Sequence, residues 1–136
     1  MKSERGFTLV ELLVVVMIIG ILATVGIATF LNQRAKGQDT EAKTAAALVA
    51  TTLIGYEHEA ETFATADRNV LIALEPAIAE ARGLVVSGTV DTFEISVDSA
   101  SGATGGGPFR IEYDRGTMVR RCNGPGEGSC PDSGLW

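Results

Sequence analysis

Few side chains in this sequence could do chemistry, and the most telling one stands by itself. Glu11 is the sole ionisable residue in FTLVELLVVVMIIGILATVGIATFL, residues 7–31. A carboxylate at the centre of a membrane helix costs about 2.5–3.5 kcal/mol on insertion scales, so a residue kept there marks a function and not merely an anchor. Cys122 and Cys130 are the only two cysteines, and they flank a stretch rich in glycine and proline. In an exported domain such a pair reads as a disulfide. Two thiols fall short of a four-ligand structural zinc site. The one histidine, His58, stands among Glu57, Glu59 and Glu61, the setting of a solvated helix residue. Arg110, Arg115, Arg120 and Arg121 form the only local concentration of positive charge, and solvent-facing strand and turn positions account for them. The net charge of −6 argues against nucleic-acid binding, because phosphate contacts need clustered cations. The glycines from Gly105 to Gly107 lack the lysine and following helix of a phosphate loop, and no nucleophile or calcium-loop spacing occurs. An enzyme would have no obvious parts here, and neither a metal nor a cofactor is expected.

The elements that must position these residues follow from hydrophobic patterning. At about 1.5 Å rise per residue, residues 7–31 span roughly 37 Å as a helix. That exceeds a hydrocarbon core of about 30 Å and is too long for the apolar core of a cleaved secretory signal. Beyond it, Ala42, Ala45, Ala46, Val49, Leu53 and Tyr56 recur at three- and four-residue intervals, while Lys43, Thr44, Thr51 and Glu57 fall mostly on other faces. One long helix is therefore expected, apolar all round at first and amphipathic over 32–61, with Gly37 as a weak point between the halves. Asp67 can cap a helix over 68–74, and Pro76 with Gly83 brackets a second short one. Phe93, Ile95 and Val97 alternate with polar residues, as do Phe109, Ile111 and Tyr113. Those are half-buried strands. Asp114, Arg115 and Gly116 turn the chain into a third strand over 117–122, and Leu84–Val90 supplies a fourth if it joins. The register of 117–122 is open, since Met118 and Val119 point to opposite faces. The segment SASGATGGG, 99–107, reads as a flexible loop, and Trp136 is expected to pack on the domain.

The string KSERGFTLVELLVVVMIIGILATVGIATF closely resembles the amino terminus of a type IV prepilin: a short charged leader, a glycine, a phenylalanine, then a long apolar helix with a glutamate five residues past the glycine. The resemblance implies that a prepilin peptidase cuts between Gly6 and Phe7 and methylates the new amine on Phe7. It implies further that the chain passes from the cytoplasmic membrane into a helical homo-oligomeric filament, through an assembly platform and an ATPase. The new amine and Glu11 are expected to pair between neighbouring subunits. Gly20 and Gly26 mark where the helix could loosen once neighbouring helices surround it. Type IV pilins often melt here and many carry a proline a few positions on; this chain has Ala28 in that neighbourhood.

The expected fold is α+β, a long amino-terminal helix packed on a small antiparallel sheet with a disulfide-closed tail. Its segments are a leader 1–6, a membrane and filament-core helix 7–31, an amphipathic continuation 32–61, and a globular head 62–136. Within the head, a connector covers 62–91, strands 92–122 and the tail 122–136. The leading function is a structural subunit of a type IV pilus, outside the cell after assembly. A pseudopilin of a type II secretion system is the alternative; its discriminators are a calcium-binding loop and the absence of a tail disulfide, and the Cys122 and Cys130 pair leans against it. A membrane-tethered binding domain, which would retain residues 1–6, comes third.

Overall fold

The computed structural model describes residues 6–102 and 105–136; residues 1–5 of the leader and Ala103 and Thr104 of the glycine-rich loop lie outside the described residues. The chain divides into two compact units, Met1–Gln33 and Arg34–Trp136. A single helix, α1, runs Leu9–Ala60 through both, without a break at Gly37.

In the first unit every described residue is exposed, among them Phe7, Leu12, Ile18 and Phe30. This is the one helix long and apolar enough to cross a membrane among the described residues, with an 18-residue window of mean hydropathy 2.8. Among the described residues nothing covers this surface, which is of the apolar kind that lipid or other helices cover.

In the second unit α1 turns amphipathic. Ala42, Ala46, Val49, Ala50 and Leu53 are buried and form one stripe of the helical repeat. The helix ends at Glu61, which turns into the left-handed region at φ 55°. Asp67 then caps α2, Arg68–Leu74, by accepting from the Val70 amide at 2.8 Å. Pro76 opens a 3-10 helix, Pro76–Glu80, where a longer helix ending at Gly83 was the expectation. Leu71 and Ile78 bury the apolar sides of these two pieces.

Four strands follow as an antiparallel meander in the order β1-β2-β3-β4: β1 Val85–Gly88, β2 Thr92–Val97, β3 Phe109–Asp114 and β4 Thr117–Cys122. Strand β1 lies inside the segment 62–91 read as connector, and makes the fourth strand. Alternation works as expected in β2 and β3, where Phe93, Ile95, Val97, Phe109 and Ile111 are buried. Between β3 and β4 only Arg115 and Gly116 intervene, both left-handed at φ 42° and 92°, the backbone of a two-residue hairpin turn. Pairing of Ile111 with Arg120 and of Tyr113 with Met118 settles the last strand's register. Met118, Arg120 and Cys122 share the face of the core residues, whereas Val119 and Arg121 share the opposite one.

The core unites α1, the short helices and the sheet. Phe63 meets the rings of Phe93 and Tyr113 edge-on, with centroids 5.0 and 5.6 Å apart. Trp136 stands edge-on to Phe109 at 5.7 Å and donates its ring N–H to the Arg121 carbonyl at 2.8 Å, so the aromatic end of the chain is fastened to β4. Cys122 and Cys130 form a disulfide with their Cα atoms 5.8 Å apart, both residues buried.

Candidate functional site

The apolar unit begins with a reciprocal cap. The Glu11 carboxylate accepts from the Thr8 amide at 2.9 Å and from the Thr8 hydroxyl at 2.8 Å, while the Glu11 amide donates to the Thr8 hydroxyl at 3.2 Å. Thr8 and Glu11 thus stand three apart in the capping-box arrangement, which satisfies backbone donors that a helix start would leave bare. The sequence TLVE carries this signature, and reading Glu11 only as a buried charge misses it. Phe7 precedes the cap and is exposed, as is Gly6. Within one chain the Glu11 carboxylate is occupied by Thr8 and not by Phe7. Gly20 and Gly26 are helical, and a Cβ at either would meet nothing within 4 Å. The chain by itself therefore gives no steric reason for either glycine, although each costs roughly 1 kcal/mol relative to alanine in a helix.

The second unit holds a polar centre that the sequence reading does not anticipate. Asp39 on α1 is fully buried. Its Oδ1 accepts from the hydroxyls of Ser99 at 2.6 Å and Ser101 at 2.7 Å. Its Oδ2 accepts from the backbone amides of Gly106 and Ser129, both at 2.9 Å. Burial pushes this carboxyl up, but the bonds from Gly106, Ser99, Ser101 and Ser129 outweigh it and hold Asp39 below the ordinary aspartate range. One helical turn on, Lys43 donates to the Ser129 carbonyl at 2.6 Å, with its ammonium 5.1 Å from the Phe109 ring centroid and 5.6 Å from that of Trp136. Burial lowers the Lys43 pKa, and the charge of Asp39 opposes that shift.

Two expectations change here. Lys43 does not face away with Thr44 and Thr51; its ammonium lies over the Phe109 and Trp136 rings and ties α1 to the tail through the Ser129 carbonyl. The described parts of 99–107 are not a free loop, since Ser99, Ser101 and Gly106 are fastened to Asp39 and Gly105 and Gly106 are buried. Glycine is required for that approach: a Cβ on Gly106 would strike Cys130, and one on Gly128, at φ 54°, would strike the Asp39 carboxylate. Asp39 thus joins the helix, the loop after β2 and the disulfide-closed tail.

Residues 1–27 match the family model described as the prokaryotic N-terminal methylation motif. The amino-terminal segment is similar to that of type IV pilins. Over 41 residues the chain is 54% identical to the type IV major pilin protein PilA of Myxococcus xanthus, covering 30% of this chain and 19% of that protein. Over 42 residues it is 50% identical to a fimbrial protein of Pseudomonas aeruginosa, covering 31% of this chain and 27% of that one. The matched region spans about a fifth to a quarter of the length of these curated relatives, so it speaks for the pilin helix and not for the head. No solved structure matches the chain significantly. Long apolar helix, antiparallel four-stranded sheet and carboxy-terminal disulfide together make the pilin α+β fold.

Proposed function

We propose that this chain is a structural subunit of a type IV pilus, cut between Gly6 and Phe7 by a prepilin peptidase and methylated on Phe7. Before assembly, residues 7–31 hold it in the cytoplasmic membrane with the head outside. Afterwards the same helix lies in the core of a homo-oligomeric filament built through an assembly platform and its ATPase. One observation carries the reading: a methylation motif opens a helix whose apolar residues are exposed throughout the first unit. A surface this apolar needs cover in both states, and the exchange of lipid for neighbouring helices provides it. The disulfide-closed tail favours a pilus subunit over a secretion pseudopilin.

Glu11 has two duties in this scheme. It caps its own helix through Thr8, and it offers the carboxylate that a neighbour's new amine needs in an apolar surrounding. A subunit out of axial register would leave both charges unpaired at a cost of several kcal/mol, so the pair selects register. Gly20 and Gly26 leave the helix open to loosening or to close approach among packed subunits. The test is the intact mass of the subunit in sheared surface filaments. Expected is a chain beginning at Phe7 with one added methyl group; a retained leader refutes processing by this route.

A further inference from the structure

The tail carries a reactive dipeptide outside the filament scheme. Of the three asparagines, Asn32, Asn69 and Asn123, only Asn123 is followed by a glycine, while Asn32 and Asn69 sit within helices α1 and α2. Asparagine is thermolabile, and the chemistry behind this is local. The backbone nitrogen of the next residue can attack the side-chain carbonyl carbon, and a following glycine has no side chain to obstruct the approach. Asn123 directly follows β4, is exposed, and its side-chain amide holds no hydrogen bond among the described residues.

The attacking nitrogen, however, is restrained. The Gly124 amide donates to the Gly106 carbonyl at 3.3 Å, and the Asn123 amide donates to the same oxygen at 3.1 Å. Gly106 is buried and itself donates to Asp39 at 2.9 Å. A backbone nitrogen attacks only after giving up its proton and turning toward the side chain, and a donor held on a carbonyl is free to do neither. Local opening must come first.

We propose that Asn123 is a site of spontaneous deamidation, and that the Gly106 carbonyl, held in place by Asp39, sets its pace. In the first step the Gly124 nitrogen bonds to Asn123 Cγ, the Cγ–Nδ2 bond breaks, and ammonia leaves with the Gly124 amide proton. Water then adds to one or the other carbonyl of the succinimide ring, giving aspartate or isoaspartate at 123. The isoaspartate product lengthens the main chain by a methylene between β4 and the disulfide-closed loop. That displaces Gly124 from the Gly106 carbonyl, so conversion loosens the tail as the head ages.

The full chain in detergent micelles, aged in mildly alkaline heavy-oxygen water and then read by peptide mass spectrometry, tests both parts, because a carboxylate formed during ageing carries the label. Expected is labelled acid at 123 and none at 32 or 69, gained roughly tenfold or more slowly than in the same chain unfolded in guanidinium with its disulfide reduced. Asn123→Gln, which would need a larger ring, is expected to gain no label there over the same period. Asp39→Ala is expected to raise the folded rate several-fold. Should that variant not fold, guanidinium below the parent's unfolding midpoint takes its place and is expected to raise the parent's rate with concentration. No labelled acid at 123 in the aged folded chain overturns the site. Equal rates in the folded and unfolded chains, or a folded Asp39→Ala that ages no faster than the parent, overturn the restraint.

Discussion

Replacing Asp39 by alanine should take away the carboxylate that joins three parts of the head. The loss can be worked from its four bonds. The hydroxyls of Ser99 and Ser101 are 2.7 Å apart and can still bond to each other. The amides of Gly106 and Ser129 have no such recourse, and a buried donor left without an acceptor costs about 1–3 kcal/mol. Lys43 also loses the charge that favours its protonated form. A total of about 3–5 kcal/mol follows, a large share of the roughly 5–15 kcal/mol that holds a domain folded. Asp39→Asn keeps one acceptor oxygen and should cost less. Guanidinium unfolding of the full chain in detergent micelles, followed by fluorescence, reads this directly because Trp136 is the only tryptophan and lies against Phe109 beside the network. The pH dependence has a fixed sign. Since folding lowers the Asp39 pKa, its contribution is complete above the unfolded value of about 3.9 and fades as pH falls through the folded value. The gap between parent and Asp39→Ala should therefore be full at neutral pH and narrow in strong acid. A difference below about 0.5 kcal/mol at neutral pH would refute the assignment of Asp39 as the joint.

Two further outcomes are expected. Cys122→Ser opens a loop with a sequence separation of 8, for which the chain-entropy relation gives roughly 3 kcal/mol or somewhat less. It should lower the unfolding midpoint and leave Cys130 reactive to thiol labels, whereas reduced cysteines in mature extracellular filaments would contradict the tail closure. Glu11→Ala should be inserted and cleaved but assemble poorly, as cell-fractionation blots and filament counts would show. A normal filament yield from the cleaved variant would defeat the proposed pairing.

Much of this fold was legible because its signals are local. The alternation in 93–97 and 109–113 needs only a sheet with one buried face, and the stripe from Ala42 to Leu53 needs only a helix on that face. Asp67 announces its helix from the position just before it, accepting from the Val70 amide three residues on. Strand β4 was harder, since Arg120 stands on the inward face, where alternation leads one to expect an apolar residue; its guanidinium rests over the Trp136 ring, 5.3 Å from the centroid. The Asp39 centre was not legible. An aspartate followed four residues later by a lysine has the spacing of a solvated helix pair, and its partners are distant serines and one glycine amide in segments whose composition suggests disorder. The amino terminus is the reverse case, where a few residues of sharply defined type carry the similarity, which does not extend to the head.

The bonds of Asp39 also impose an order in time. They join it to residues 60, 62, 67 and 90 positions later in the chain. A head synthesised from its amino end cannot complete this joint until the tail has been made, so the helix remains without its last fastening until synthesis is complete. Contacts that close such long loops form late, because the entropy of closure must be met before they contribute. Changes at Asp39 should therefore act chiefly on how fast the head comes apart and only weakly on how fast it forms. In the filament proposed above, where a subunit must endure shear, lifetime is the quantity that this placement governs.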